Sequence, residues 1–389
     1  MISIIIPSHN NLKHLKNVYT SIIKHAPGVE LILLDDGSTD GTWEWMQTVE
    51  TLPNNKTRIF RSKERVGHTI LYDVGIDMAT NDIVGILHAD MIIGPKYVEN
   101  MLKHLEPGKV VCATRIEPPL HPEGKEKIIQ DFGMDFDTLD IDAFETYTIE
   151  MQQQFKDQTT KGMFAPWILY KSDFQSIGGH DPLFAPFPYE DSDIFQRWIL
   201  AGYELIQSRD AFVYHLTCRG HRWNEQVGKD DDYFKVASAR ASRNYLRKWG
   251  TWIENDEYQY PIIHPKYNIA YVVKNCTYDI LNALEPWCDR IYIDDEMQVI
   301  TSHYIDSEQL NTKFDLTKRV LLTKFNDPLG ENDVVVEFDA NQLHNHNLYI
   351  LQQLPKILYN QGEEGVFEID AFKIHIFSLI EYQNNLIHL

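Results

Sequence analysis

Three apolar runs near the start of the chain each stop at a loop with polar residues. Residues 2–6 run into Pro7 and Ser8-His9-Asn10-Asn11, residues 31–34 into Asp35-Asp36-Gly37-Ser38, and residues 83–87 into His88-Ala89-Asp90. Apolar runs of this length bounded by turn residues fit strands covered on both faces. Between them, Leu12, Leu15, Val18, Tyr19, Ile22 and Ile23 recur at a helical period that Pro27-Gly28 ends, and Trp43, Met46 and Val49 share one side of a second helix. Residues 57–60 read as a further strand and residues 69–78 as a helix leading into the run at 83–87. Strands alternating with amphipathic helices predict right-handed βαβ units and a mostly parallel sheet. In such sheets ligands bind beyond the carboxyl ends of the strands, which is where these loops fall.

The bulk properties narrow the function classes. A formal charge of -21 argues against nucleic acid and anionic membrane surfaces as general partners. No apolar stretch approaches the roughly 18 residues that span a bilayer, and no basic leader precedes the first strand, so a soluble, cytoplasmic protein is expected. Cys112, Cys218, Cys276 and Cys288 form no C-x-x-C pair and no metal-ligand spacing, as expected of thiols in a reducing compartment.

Farther along, residues 110–114 read as a strand, and the acid-rich stretch from Asp131 to Asp157 as a solvated insertion. Residues 164–170 form another expected strand, followed by the tight bend Gly178-Gly179-His180-Asp181 and by Glu190-Asp191-Ser192-Asp193 at the start of a helix. Acids there either cap the helix or do chemistry. Short strands at 204–207 and 212–214 deliver His215 into a basic loop with Arg219, His221 and Arg222, candidates for contact with a diphosphate.

The series IIIPSHN, LILLDDGSTDGT, a Gly67-centred turn and IVGILHAD resembles the nucleotide-sugar domain of family 2 glycosyltransferases, over roughly residues 1–249. The resemblance implies a GT-A fold, a Rossmann-like and mostly parallel sheet flanked by helices. It implies a donor site built from Pro7, Ser8, Asn10, Asp35, Asp36, Gly67, His88 and Ala89, with Asp36 on the nucleobase, usually uracil. The metal motif Asp-x-Asp falls on His88-Ala89-Asp90, where His replaces the first Asp, and the usual Arg-Asn becomes Tyr72-Asp73. Asp90 keeps the metal-binding carboxylate, His215 sits where many members place a further metal ligand, and Asp191 matches the catalytic base. Glu190 and Trp167 are expected on the acceptor side.

The chemistry agrees. A nucleoside diphosphate leaves only when its developing charge is neutralised, which carboxylate-held Mn²⁺ or Mg²⁺ does, and imidazole suits Mn²⁺ better. The expected activity is inverting, metal-dependent transfer of a sugar, UDP-linked by the reading of Asp36, to a hydroxyl of a glycan or other acceptor, as in polysaccharide biosynthesis. The alternatives are a nucleotide-sugar or carbohydrate-binding protein, and a sugar-1-phosphate nucleotidylyltransferase. The latter needs a Gly-rich basic loop after the first strand, which Ser8-His9-Asn10-Asn11 is not.

The expected organisation is a donor half over residues 1–115, an acceptor half over 116–250, a linker over 251–265, and a smaller α/β or α+β domain over 266–389. No motif or internal repeat is evident in that last region. Asp294-Asp295 echoes Asp35-Asp36 without the Gly-Ser that follows the latter pair, and reads as a turn.

Overall fold

The first apolar run is β1 (Ile2–Ser8), buried along its whole length. A computed structural model describes residues 1–389 apart from 53–55, 218–231 and 324–331. After β1 come α1 (Leu12–His25), β2 (Glu30–Asp36), α2 (Thr42–Glu50), β3 (Thr57–Ser62), α3 (His68–Met78) and β4 (Ile83–Ile86), the alternation expected. They continue into β5 (Met91–Ile93), α4 (Tyr97–Leu102), β6 (Lys109–Glu117), β7 (Lys127–Ile129), α5 (Ile141–Gln154), β8 (Thr159–Thr160), β9 (Trp167–Tyr170), α6 (Lys171–Ser176), α7 (Glu190–Leu200) and β10 (Glu204–His215). The sheet runs β3-β2-β1-β4-β9-β6-β10-β5, with β7 beside β6 and β8 beside β10. Strands β3, β2, β1, β4, β6 and β10 share one direction, and β9, β5 and β8 oppose it. Ile4, Ile6, Leu31, Leu33, Leu87, Met91 and Ile93 pack with Leu15, Val18 and Ile22 of α1 on one face.

Three local readings differ from the structure. Strand β6 continues past Thr114 because Arg115 and Glu117 neutralise each other inside the protein, 2.8 Å apart. Strand β10 runs unbroken through Ser208-Arg209-Asp210 with a register shift, the buried Asp210 meeting Lys103 at 3.1 Å. The acidic stretch keeps most of its acids exposed but folds into a helix that the sequence reading did not place. Asp140 caps α5 by accepting from Ala143 N, and Phe144 packs with Phe132 and Tyr214 beneath the helix. Its acids pair outward, Glu145 with Lys24 and His25, Asp135 with His14, and Asp157 with Lys103. Alternating acids hid a helical period whose apolar residues are few.

A second compact unit holds residues Ala239–Ile253 and Ile263–Ile387, so the division falls inside helix α8 (Asp232–Trp249). The remaining unit holds Met1–Ser238, Glu254–Ile262 and His388–Leu389. In the second unit β11 (Ile269–Lys274), α9 (Tyr278–Leu284), β12 (Arg290–Asp294), α10 (Gln298–Glu308), β13 (Val320–Thr323) and β14 (Val334–Asp339) precede α11 (Asn345–Gln352), α12 (Leu354–Gln361), β15 (Gly365–Ile369) and β16 (Phe372–Ile376). Its sheet order, β13-β12-β11-β14 followed by antiparallel β16, repeats the order β3-β2-β1-β4 followed by antiparallel β9. At the carboxyl edge of the second sheet Asp339 accepts from Asn275 Nδ2 at 2.9 and 3.0 Å.

Among the described residues no helix is long and apolar enough to cross a membrane. Cys112, Cys276 and Cys288 are free and buried.

Candidate active site

The loops at the carboxyl ends of β1, β2, β4, β6 and β10, with the starts of α3 and α7, border a cleft of about 530 Å³, a size that suits a nucleotide-sized ligand. Pro7, Ser8, Asp36, His88, Ala89, Asp90, Trp167, Glu190, Asp191 and His215 line it, as the sequence reading expects of a site at this edge. Asn10, Asp35 and Gly67 do not line the cleft; they build its walls. Asn10 joins two loops by accepting from Thr39 N at 2.7 Å and donating its own N–H to Ser38 Oγ at 2.9 Å. Asp35 accepts from Ser38 N and meets Arg61 Nε at 3.1 Å.

Asp36 is more than an end-of-strand acid. Its carboxylate accepts from Val66 N at 2.7 Å and Gly67 N at 3.0 Å, tying the β2 end to the start of α3. Burial raises its pKa against the pull of those two bonds. Gly67 has φ +88°, and a Cβ there would lie 2.2 Å from Pro186 Cβ. Gly67→Ala is therefore expected to destabilise the protein by about 1–3 kcal/mol through backbone strain and overpacking. A denaturant titration showing parental stability would remove that close approach from the account.

Three ligand-type side chains meet at one point. His88 and Asp90 follow β4, His215 ends β10, and their candidate donor atoms lie within 4.8 Å of one another. Two oxygen or nitrogen atoms each about 2.0–2.6 Å from one cation are at most about 5 Å apart, so the triad fits a single divalent ion. His215 Nε2 is 3.8 Å from Asp90 Oδ1, too far for a hydrogen bond and suited to a shared cation. Burial in the cleft pushes the His88 pKa down to about 3, which keeps the ring neutral and able to ligate.

On the facing wall Tyr189, with φ +82°, starts α7, so none of the acids that follow is the cap residue. Asp193 is instead a buried partner of Arg197 at 2.8 Å. Glu190 Oε1 meets His68 Nε2 at 2.5 Å, and His68 stacks on Phe187. Burial opposes charge on both groups, yet each charge supports the other, so Glu190 is lowered and His68 raised. Asp191 is pushed up to about 6, first by burial and then by the neighbouring Glu190 charge. Among the described residues Glu190 Oε2, Glu126 Oε2 and Ser8 Oγ have no hydrogen-bond partner, and all three residues face the cleft.

Trp167 borders the cleft but is 0% exposed, its ring edge-on to Trp198 at 5.1 Å. It lacks the exposed face that stacking on a sugar needs. Arg219, His221 and Arg222 lie outside the described residues. Sequence reading missed Arg115, Glu117, Glu126, Lys127 and His68, which all line the cleft. Glu117 ends a strand as Asp36 does, and that was the available signal. The altered Tyr72-Asp73 has a local explanation, since Asp73 accepts from His180 N and meets its Nδ1 at 2.6 Å.

Residues 3–175 match the model of Glycosyl transferase family 2. This segment is a family 2 glycosyltransferase domain. The family 2 match and the sheet agree with the expected GT-A fold, joined here to a second, smaller sheet domain. Glycosyltransferase GlyG of Streptococcus pneumoniae is 26% identical over 107 residues, 27% of this chain and 35% of that protein. Dolichol-phosphate mannosyltransferase of Pyrococcus furiosus is 24% identical over 113 residues, 28% of this chain and 32% of that protein. The chain thus spans about a third of the length of these curated relatives. Similar solved structures include GalNAc-T7 with UDP, GalNAc and Mn²⁺, at TM-score 0.48 and 18% identity over 65% of this chain and 48% of that one. Another is mannosyltransferase PcManGT from Pyrobaculum calidifontis in complex with GDP-Man and Mn²⁺, at TM-score 0.44 and 17% identity over 63% and 62%. The family 2 match ends at residue 175, before Glu190, Asp191 and His215.

Proposed function

We propose that the protein moves a sugar from a UDP-linked donor to a hydroxyl of a glycan or other acceptor, with inversion at the anomeric carbon. The observation that carries this reading is Asp191, which lines the same cleft as His88, Asp90 and His215 and has its carboxyl pushed up to about 6. Such a carboxylate is ionised at neutral pH yet more basic than an exposed one. Asp191 takes the acceptor proton as the hydroxyl oxygen bonds to the anomeric carbon. The bond from that carbon to the diphosphate breaks on the opposite face, and its electron pair leaves with the nucleotide. A divalent cation held by His88, Asp90 and His215 supplies Lewis-acid neutralisation of the diphosphate when bound.

In this reading Asp36 receives a ring N–H of uracil while it holds the Gly67 turn, and Pro7, Ser8, His88 and Ala89 border the nucleotide. Glu190, braced by His68, faces the acceptor with its second oxygen and raises the basicity of Asp191. The buried free thiols suit the reducing, cytoplasmic setting we propose, and polysaccharide biosynthesis is the corresponding role.

Incubation with a panel of nucleotide sugars, an acceptor glycan and Mn²⁺ tests the proposal. The expected result is release of UDP and a product of inverted anomeric configuration by NMR. Binding without nucleotide release would indicate the binding-protein alternative, and pyrophosphate release would indicate the nucleotidylyltransferase. By calorimetry, Asp90→Ala is expected to lose more than about tenfold of the tightening that Mn²⁺ gives to UDP, since outer-shell partners alone cost that much. Equal UDP affinities with Mn²⁺ for variant and parent would remove Asp90 from the metal site.

A further inference from the structure

We infer that Glu117 is a positioning residue that fixes the tautomer and orientation of His215, an inference that rests on the proposed metal-binding role of that histidine. Strands β6 and β10 run parallel with Tyr214 beside Ile116, which brings their last residues, Glu117 and His215, level with each other. Glu117 is 1% exposed, and its Oε1 lies 2.9 Å from His215 Nδ1. The same oxygen accepts from Arg115 Nη1 at 2.8 Å, and Oε2 accepts from Lys127 Nζ at 2.9 Å.

Those contacts settle which nitrogen carries the proton. An ionised carboxylate only accepts hydrogen bonds, so the 2.9 Å contact requires the proton on His215 Nδ1. The lone pair of a neutral ring is then on Nε2, the nitrogen that faces Asp90 at 3.8 Å. Glu117 has two further donors besides His215, Arg115 and Lys127. Arg115 and Lys127 balance Glu117 and Glu126, with Arg115 held 3.2 Å from Glu126 and laid over the Phe164 ring at 3.8 Å. The carboxylate is thereby held in place beside the ring by two cations. A carboxylate behind a metal-binding imidazole fixes its tautomer, aims its lone pair and raises its basicity as a ligand. Glu117 itself stands behind the ring, fully engaged by donors.

Two measurements test the inference. In the metal-free parent, long-range ¹H–¹⁵N correlation of the His215 ring is expected to report the Nδ1–H tautomer, and this needs no variant to fold. Mn²⁺ titrated in the presence of UDP and followed by EPR is expected to bind Glu117→Gln about 10–100-fold more weakly than the parent. The amide in that variant no longer enforces one tautomer, and the ring spectrum is expected to show a mixture. An Nε2–H tautomer in the parent overturns the proposal outright. Mn²⁺ affinity within twofold of the parent for Glu117→Gln, with His215→Ala strongly weakened, overturns the positioning role and leaves the metal site standing. Parental affinity in both variants removes His215 from the metal site and the positioning role with it.

Discussion

Asp191→Asn is expected to bind UDP and Mn²⁺ like the parent and to lose about two to four orders of magnitude in transfer rate, the range for a lost general base. Asn keeps the shape and still accepts from Ser192 N, the one backbone bond that Asp191 makes at 2.7 Å. The comparison therefore isolates proton acceptance. The parent should lose activity as pH falls through about 6, where burial and the Glu190 charge have placed this carboxyl. An exposed aspartate would keep activity to near pH 4. Stability gives an independent sign. A carboxyl whose folded pKa exceeds its unfolded value supports the fold below the unfolded pKa, and that support is lost as pH rises through about 6. At neutral pH Asp191→Asn should thus melt no lower than the parent. Turnover within a few-fold of the parent would shift the base to Glu190, which lines the same cleft.

Glu285→Ala is expected to destabilise the second unit by about 3–5 kcal/mol, the cost of breaking a buried ion pair from one side. Glu285 is 1% exposed and accepts from Arg247 Nε at 2.9 Å and Nη2 at 2.7 Å, from Arg319 Nε at 2.6 Å and from the Tyr304 hydroxyl at 2.9 Å. Arg247 and Arg319 are themselves buried, so the truncation leaves their charges short of an acceptor inside the core. Burial opposes the charge of Glu285, but the two guanidiniums hold its carboxyl well below the ordinary range. With the folded pKa lowered, the stabilisation is present above the unfolded pKa and is lost as pH falls through the folded one. Acid unfolding of the parent below about pH 4 should accordingly flatten in the variant. Urea titration at neutral pH gives the main number, and a loss under 1 kcal/mol would show that the cluster relaxes or admits water.

The altered residues of the family pattern make sense as sets. His stands at position 88 in place of Asp, and it meets a carboxylate at 90 and an imidazole at 215. Tyr72-Asp73 replaces Arg-Asn, and Asp73 takes up His180 from the Gly178-Gly179 bend. Each change is odd in isolation and paired in space.

The sequence alone determined the order of strands and helices from β1 to β4 and the cleft edge to which Asp36, His88, Asp90 and His215 are delivered. These signals are local, because an apolar run and the turn that stops it lie within a few residues of each other. It also marked Asp191 as a strand-distant acid at a helix start, through the resemblance of its motif. Only the tertiary structure decided which charges are solvated. Arg115, Glu117 and Lys127 lie beyond the strand read at 110–114, yet they form one network around His215, 98 residues from Glu117. Glu145 of α5 read as part of a solvated insertion, yet it meets Lys24 and His25 of α1. The repeated 3-2-1-4 strand order of the second unit was invisible for the same reason, since strand order is a property of pairing. A charge's partner is set by the distance across the fold, and burial then turns that partner into a strong effect. Neither distance nor burial is written in the chain order.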